Sequence, residues 1–151
     1  MSFQKVFPIL AVAAIAGFVY WSFFGGPPPR ERSPQEGAAL RAVEAIIDAE
    51  QKYKEQYSEY ADRLHKLGPP RIQGASPDRE ASGLLSRDIA FGSDRLGYKL
   101  ALRGYGDTFE LTANPFGPSA VPRASFFADQ TGVIRESLDG QATEASPKLV
   151  R

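Results

Sequence analysis

Tyr98-Lys99-Leu100-Ala101-Leu102-Arg103, Gly104-Tyr105-Gly106-Asp107 and Phe109-Glu110-Leu111-Thr112-Ala113-Asn114 together decide the fold. The period of this passage is two. Tyr98, Leu100 and Leu102 alternate with Lys99, Ala101 and Arg103, and Phe109, Leu111 and Ala113 alternate with Glu110, Thr112 and Asn114. Successive side chains of a strand point to opposite faces, so each run presents one apolar and one polar face. The glycine-rich stretch between the runs predicts a hairpin connection, and the whole passage predicts a half-buried antiparallel pair.

Downstream, Pro115, Pro118 and Pro122 predict an irregular crossing from Asn114 to Pro122. Ser125-Phe126-Phe127-Ala128 and Val133-Ile134-Arg135-Glu136 predict two further short strands. Between them, Gly132 of Asp129-Gln130-Thr131-Gly132 supplies the positive φ that such a turn needs. Ser137 to Arg151 shows no periodicity and is expected to be a polar C-terminal tail. A sheet of about four strands needs a cover over its apolar face to be stable.

The cover lies upstream. Ser33-Pro34-Gln35-Glu36 reads as a capping box with proline at the first helical position, where its missing N–H costs little. Val43, Ile46, Tyr53, Tyr57, Tyr60, Leu64 and Leu67 then follow at helical spacing, with Glu50 in the one polar slot of the stripe. A helix is predicted from Pro34 to about Tyr57, with a short second turn in Ala61 to Leu67 closed by Gly68-Pro69-Pro70. Val43, Ile46, Tyr53 and Tyr57 are expected to form the helix-to-sheet packing surface, and Arg41, Glu44, Asp48, Lys52, Glu55 and Glu59 a solvated opposite face. Arg71 to Ser82 reads as a polar loop, and Leu84, Leu85, Ile89 and Phe91 suggest one more short helix. The fold class is therefore α+β, an amphipathic helix packed on a small antiparallel sheet.

The front of the chain is of another kind. After an N-terminal segment of residues 1–5, Val6 to Phe24 gives 19 residues without a charge. At about 1.5 Å rise each they span ~28 Å, close to the hydrocarbon thickness of a bilayer, so a transmembrane helix is expected over 6–24. Tyr20, Trp21, Phe23 and Phe24 crowd its far end, as rings placed at the membrane interface do. Gly25-Gly26-Pro27-Pro28-Pro29 ends any helix, and residues 25–33 read as a stiff linker. The competing reading is a cleaved signal peptide with Lys5 as its basic region and Ala14-Ile15-Ala16 as its cleavage site. Cleavage there would leave the very apolar Gly17–Phe24 at the new start, so a retained anchor is the expectation.

Composition excludes several function classes. The 151 residues suit one domain plus an appendage. Lys+Arg and Asp+Glu are 18 each, which leaves zero net charge and a pI near 6.6, unlike the basic surfaces that bind nucleic acid. With no cysteine, disulfides, thiolate zinc sites and iron–sulfur clusters are ruled out. His65 is the single imidazole, with Asp62 as the nearest acid in sequence, and reads as an exposed histidine at a helix end. Asp129 is one carboxylate in a four-residue turn, where a calcium ion would want six or more oxygens, so it reads as a cap for local N–H groups. Gly104-Tyr105-Gly106 lacks the context of a phosphate-binding loop. Tyr53, Tyr57 and Tyr60 at helical spacing read as core. We expect no catalytic, metal or cofactor site. The span holds no histidine to ligate haem or chlorophyll, so any lipid or pigment contact would be made by packing alone.

The order of elements resembles the type IV pilin and type II secretion pseudopilin family, and particular residues add to the resemblance. Ala38-Ala39-Leu40-Arg41, Ala49-Glu50 with Tyr53 and Tyr57, and Leu64-His65-Lys66-Leu67-Gly68 look like the helix-to-loop region of a pilin-like subgroup found in environmental bacteria. Gly97-Tyr98-Lys99-Leu100, Phe109-Glu110-Leu111-Thr112-Ala113-Asn114-Pro115 and Ser125 through Arg135 look like its strands and final hairpin. The resemblance implies a pilin-like domain over 34–136, held at the bacterial inner membrane. Lys5 before the span and Arg30 and Arg32 after it favour a cytoplasmic domain by charge count. Large domains translocate regardless of so small a bias, and the resemblance places this one on the periplasmic side. The front departs from the family pattern: its basic leader and the glutamate of its mature start have no counterpart, and Gly25 to Pro29 interrupts a helix that family members run straight through. The expectation is a non-enzymatic accessory subunit of a larger inner-membrane complex, respiratory or photosynthetic, with the lipid bilayer and other membrane subunits as partners. The alternative is a divergent pilin or pseudopilin of a pilus or secretion machine.

Overall fold

Helix α1 spans Pro34–Tyr57 and begins where the capping box predicts. Ser33 holds an extended backbone; its hydroxyl accepts from the Glu36 N–H at 3.2 Å, and its own N–H donates to Glu36 Oε2 at 2.7 Å. Two donors that the first helical turn leaves without intrahelical partners are thereby satisfied. The helix stops at Ser58, which turns left-handed at φ 64 and donates its N–H to the Lys54 carbonyl at 2.8 Å. The computed structural model describes residues 31–92, 97–117 and 122–149. Two short helices follow, α2 (Leu64–Leu67) and α3 (Arg87–Phe91), joined by an exposed loop over 71–80.

The sheet has four strands, β1 (Tyr98–Gly104), β2 (Phe109–Pro115), β3 (Ser125–Asp129) and β4 (Arg135–Ser137), in the order β1-β2-β3-β4 and antiparallel throughout. Register sets Leu100 opposite Ala113, Leu102 opposite Leu111 and Leu111 opposite Ala128, so the apolar set of every strand shares one face. Against that face lie Ala39, Val43, Ile46 and Tyr53 of α1, all at 0% exposure, with Tyr98, Leu111, Ala113 and Phe126 beneath them. Tyr60 meets Phe109 edge-on at 4.9 Å between ring centroids, and Tyr98 stacks over Phe126 at 6.0 Å. Of the four expected packing residues, Val43, Ile46 and Tyr53 are buried and Tyr57 is half-buried against the Tyr53 ring. The residues from Arg32 onward form one compact unit with its own core.

Two expectations about the C-terminal third need correction. The last strand runs Arg135–Ser137 rather than Val133–Glu136. The segment after it, expected as a polar tail, folds back over the sheet instead. The Glu136 N–H donates to the Pro147 carbonyl at 3.0 Å, the Leu149 N–H donates to the Ile134 carbonyl at 2.9 Å, and Arg135 bridges Lys148. Ser125 is the anchor: its hydroxyl donates to the Gly140 carbonyl at 2.5 Å and accepts the Ala142 N–H at 2.7 Å. This covering explains why β3 is buried on both faces from Ser125 to Ala128 while β1 alternates. The expected span over 6–24, with Tyr20, Trp21, Phe23 and Phe24, lies outside the described residues, as does most of the 25–33 linker. Among the described residues no helix is long and apolar enough to cross a membrane.

Candidate functional site

α1 covers one face of the sheet, and the returning segment runs along the edge of β4 and covers the other face at β3. The polar face of β1 and β2 is left open. On it Lys99 stands opposite Asn114, Ala101 opposite Thr112, and Arg103 opposite Glu110. The short pair between two long pairs makes a trough, and Gln141 of the returning segment walls one side. The resulting groove has a volume of about 360 Å³. Lys99 and Arg103 lie four residues apart on one strand, which puts their Cα atoms ~13 Å from each other. The Asn114 side-chain oxygen is shielded from solvent with no hydrogen-bond partner among the described residues. These groups can hold a polar ligand by charge and hydrogen bonds.

Two carboxylates lie under the opposite face. Glu36 is 1% exposed; beyond its capping role, its Oε1 accepts the N–H of Ala124, 88 positions away, at 2.8 Å. One acid thus ties the start of α1 to the entry of β3. Glu50, in the polar slot of the stripe, is 0% exposed. Its Oε2 accepts the Ala61 N–H at 2.9 Å, and its Oε1 has no hydrogen-bond partner among the described residues. Burial pushes its carboxyl up to about 7; the Ala61 N–H works against that rise, and the Asp62 charge adds to it.

The sequence-predicted candidates do not come together into a site. His65, expected to be exposed, is instead half-buried in α2, where its backbone carbonyl receives the Gly68 N–H at 3.1 Å. Asp129 Oδ1 accepts the Thr131 N–H at 2.9 Å and also the Thr131 hydroxyl, the local role expected for it. No group of three metal-ligating side chains occurs among the described residues. The tyrosine stripe packs in the core, as read from its spacing, and adds one function: the Tyr53 hydroxyl donates to the Arg79 carbonyl at 2.8 Å and so holds the exposed loop. Sequence reasoning missed the roles of Glu36 and Glu50 inside the fold. The available signal was the break in the stripe at Glu50, because a charged residue on an apolar helical face is buried with a partner or not at all.

These features define the chain's class as a two-layer α+β domain with one open, polar sheet face. No family model matches the sequence, and neither a curated protein nor a solved structure matches it.

Proposed function

We propose that this protein is a non-enzymatic, single-span membrane protein with a pilin-like domain on the extracytoplasmic side of the bacterial inner membrane, an accessory subunit of a larger complex. The observation that carries this reading is the uncharged run Val6–Phe24 with Tyr20, Trp21, Phe23 and Phe24 at its end, set off by Gly25–Pro29 from a domain with its own caps and core. The rings suit packing against neighbouring helices, lipid or pigment. The open groove over Ala101 and Thr112 offers the domain a polar contact surface. Mass spectrometry of the complex extracted in mild detergent tests the proposal, with stoichiometric partner subunits as the expected result. A chain that migrates alone under those conditions overturns it. The side of the membrane has its own test. The chain has no cysteine, so a Lys52→Cys variant carries a single thiol on an exposed position of α1. Labelling by a membrane-impermeant maleimide in spheroplasts is expected, and protection until lysis reverses the orientation.

A second reading, a divergent pilin or pseudopilin, is favoured by one observation: a 24-residue helix laid on an antiparallel meander whose strands follow chain order. Fibres of identical copies in the native membrane would select it over the first.

A further inference from the structure

The connection from α1 to α2 is held at its surface by Lys54 Nζ on the Ser58 carbonyl at 2.9 Å, by Arg79 on Glu59 at 3.1 Å and by Lys66 on Asp62 at 3.1 Å, and a further tie ends on a buried carboxyl. Ser58 enters it at φ 64, a backbone region that costs a non-glycine residue ~1 kcal/mol. Tyr60 then donates its N–H to the Gly106 carbonyl at 2.8 Å, Ala61 donates to Glu50 Oε2 at 2.9 Å, and Gly104 of β1 donates to the Asp62 carbonyl at 3.4 Å. Ala61 is 1% exposed and lies so close to β1 that a Cβ on Gly104 would collide with the Ala61 carbonyl group. Behind this segment, Glu50 has one donor for two oxygens and no solvent contact. That environment favours the neutral acid over the carboxylate.

We propose that the Ser58–Arg63 connection is a pH-released latch, closed on the β1–β2 hairpin while Glu50 holds its proton and opening when Glu50 ionises, because a carboxylate with one hydrogen bond gains more from water than from Ala61. The charged groups around it do not supply the missing compensation. Asp62, on the connection, opposes ionisation. Lys66 of α2, beside His65, is engaged with Asp62 at 3.1 Å and with Glu80 of the exposed loop at 3.2 Å. Lys54, one turn along α1, is held by Asp107 of the hairpin at 2.5 Å. The faces that β1, β2 and β3 turn toward α1 bring Leu100, Leu102, Phe109, Leu111, Phe126 and Ala128, none of which ionises.

The direction follows from linkage. The closed latch keeps the Glu50 proton up to about 7, whereas an open, solvated glutamate releases it near 4.5. Between those values opening grows by up to tenfold per pH unit, and above the upper one it levels off, for a total on the order of a hundredfold. This inference stands apart from the membrane assignment, since every group in it lies within the α+β domain.

Amide hydrogen exchange on the full chain in detergent micelles tests it, with intrinsic exchange rates divided out. From pH 5 to pH 8 the opening equilibrium at Tyr60 and Ala61 is expected to rise on the order of a hundredfold, and at every pH to exceed that at Ala113 in the doubly paired strand β2, which opens only by global unfolding. Glu50→Gln keeps an oxygen for the Ala61 N–H and cannot ionise, so its opening is expected to be flat with pH. Three results overturn the latch: flat opening in the unaltered chain, an undiminished slope in Glu50→Gln, or opening at Tyr60 and Ala61 no greater than at Ala113. Should Glu50→Gln fail to fold, the Glu50 carboxyl carbon is titrated by NMR in the unaltered protein. A midpoint near neutrality is expected there, and one in the ordinary glutamate range overturns the proposal.

Discussion

Glu36 accepts two backbone N–H groups, one from the half-buried Ser33 and one from Ala124, and the Ala124 donor, at 0% exposure, has no water to take the carboxylate's place. Removing a partner so that a buried donor is orphaned costs more than the hydrogen bond was worth in net terms. Glu36→Ala is therefore expected to lower the unfolding free energy by about 2–4 kcal/mol in urea melts, with Glu36→Gln losing less because its amide oxygen still accepts. The half of this role that caps α1 is legible from the spacing of Ser33 and Glu36. The half that reaches Ala124 is not, because a backbone N–H carries no sequence signature. Glu50 gives the complementary expectation. Its folded pKa of about 7 lies above the ordinary 4.5, so the stability it allows is fully present below about pH 4.5 and is lost as pH rises toward 7. In Glu50→Gln that loss disappears. At pH 8 the variant is expected to be more stable than the unaltered chain by about 3 kcal/mol, and at pH 4 nearly equal to it, as read from paired urea melts.

Among the elements, the β1–β2 hairpin separates two uses of glycine that the sequence shows as one cluster. Gly106 sits at φ 76 with nothing within 4 Å of where a methyl group would stand, so only its backbone conformation demands glycine. Gly104 is ordinary strand in its dihedral angles, yet an added Cβ would meet the Ala61 carbonyl carbon at 2.7 Å and its oxygen closer still. Backbone opposes that clash, and backbone yields poorly. Gly106→Ala is expected to cost about 1 kcal/mol, and Gly104→Ala about 2–4 kcal/mol, with exchange at Ala61 accelerated only in the second. Gly104-Tyr105-Gly106-Asp107 is readable as a turn. That its first glycine also makes room for the α1–α2 connection is not, since the two segments are some 40 positions apart. The segment after β4 teaches the same point from the other side: one bridge at Lys148 and a few carbonyl contacts leave no period to detect.

At the scale of the molecule, the caps, core and sheet of the described residues belong to the one compact unit that starts at Arg32. A chain of residues 32–151 is expected to unfold in a single cooperative transition in urea, with far-UV circular dichroism and tyrosine fluorescence reporting the same midpoint. Divergent midpoints would show that this part does not fold as one unit. The periodicities of 3.6 and 2 sufficed to tell α1 from the strands, to choose the face each buries and to forecast an antiparallel sheet, because both patterns are local and repeat. The open polar groove, the folded-back C-terminal segment and the tie from Glu36 to Ala124 became visible only once distant segments were brought together. Each depends on a neighbour far along the chain, and a solitary long-range contact, unlike a repeating local one, leaves no trace in the order of residues.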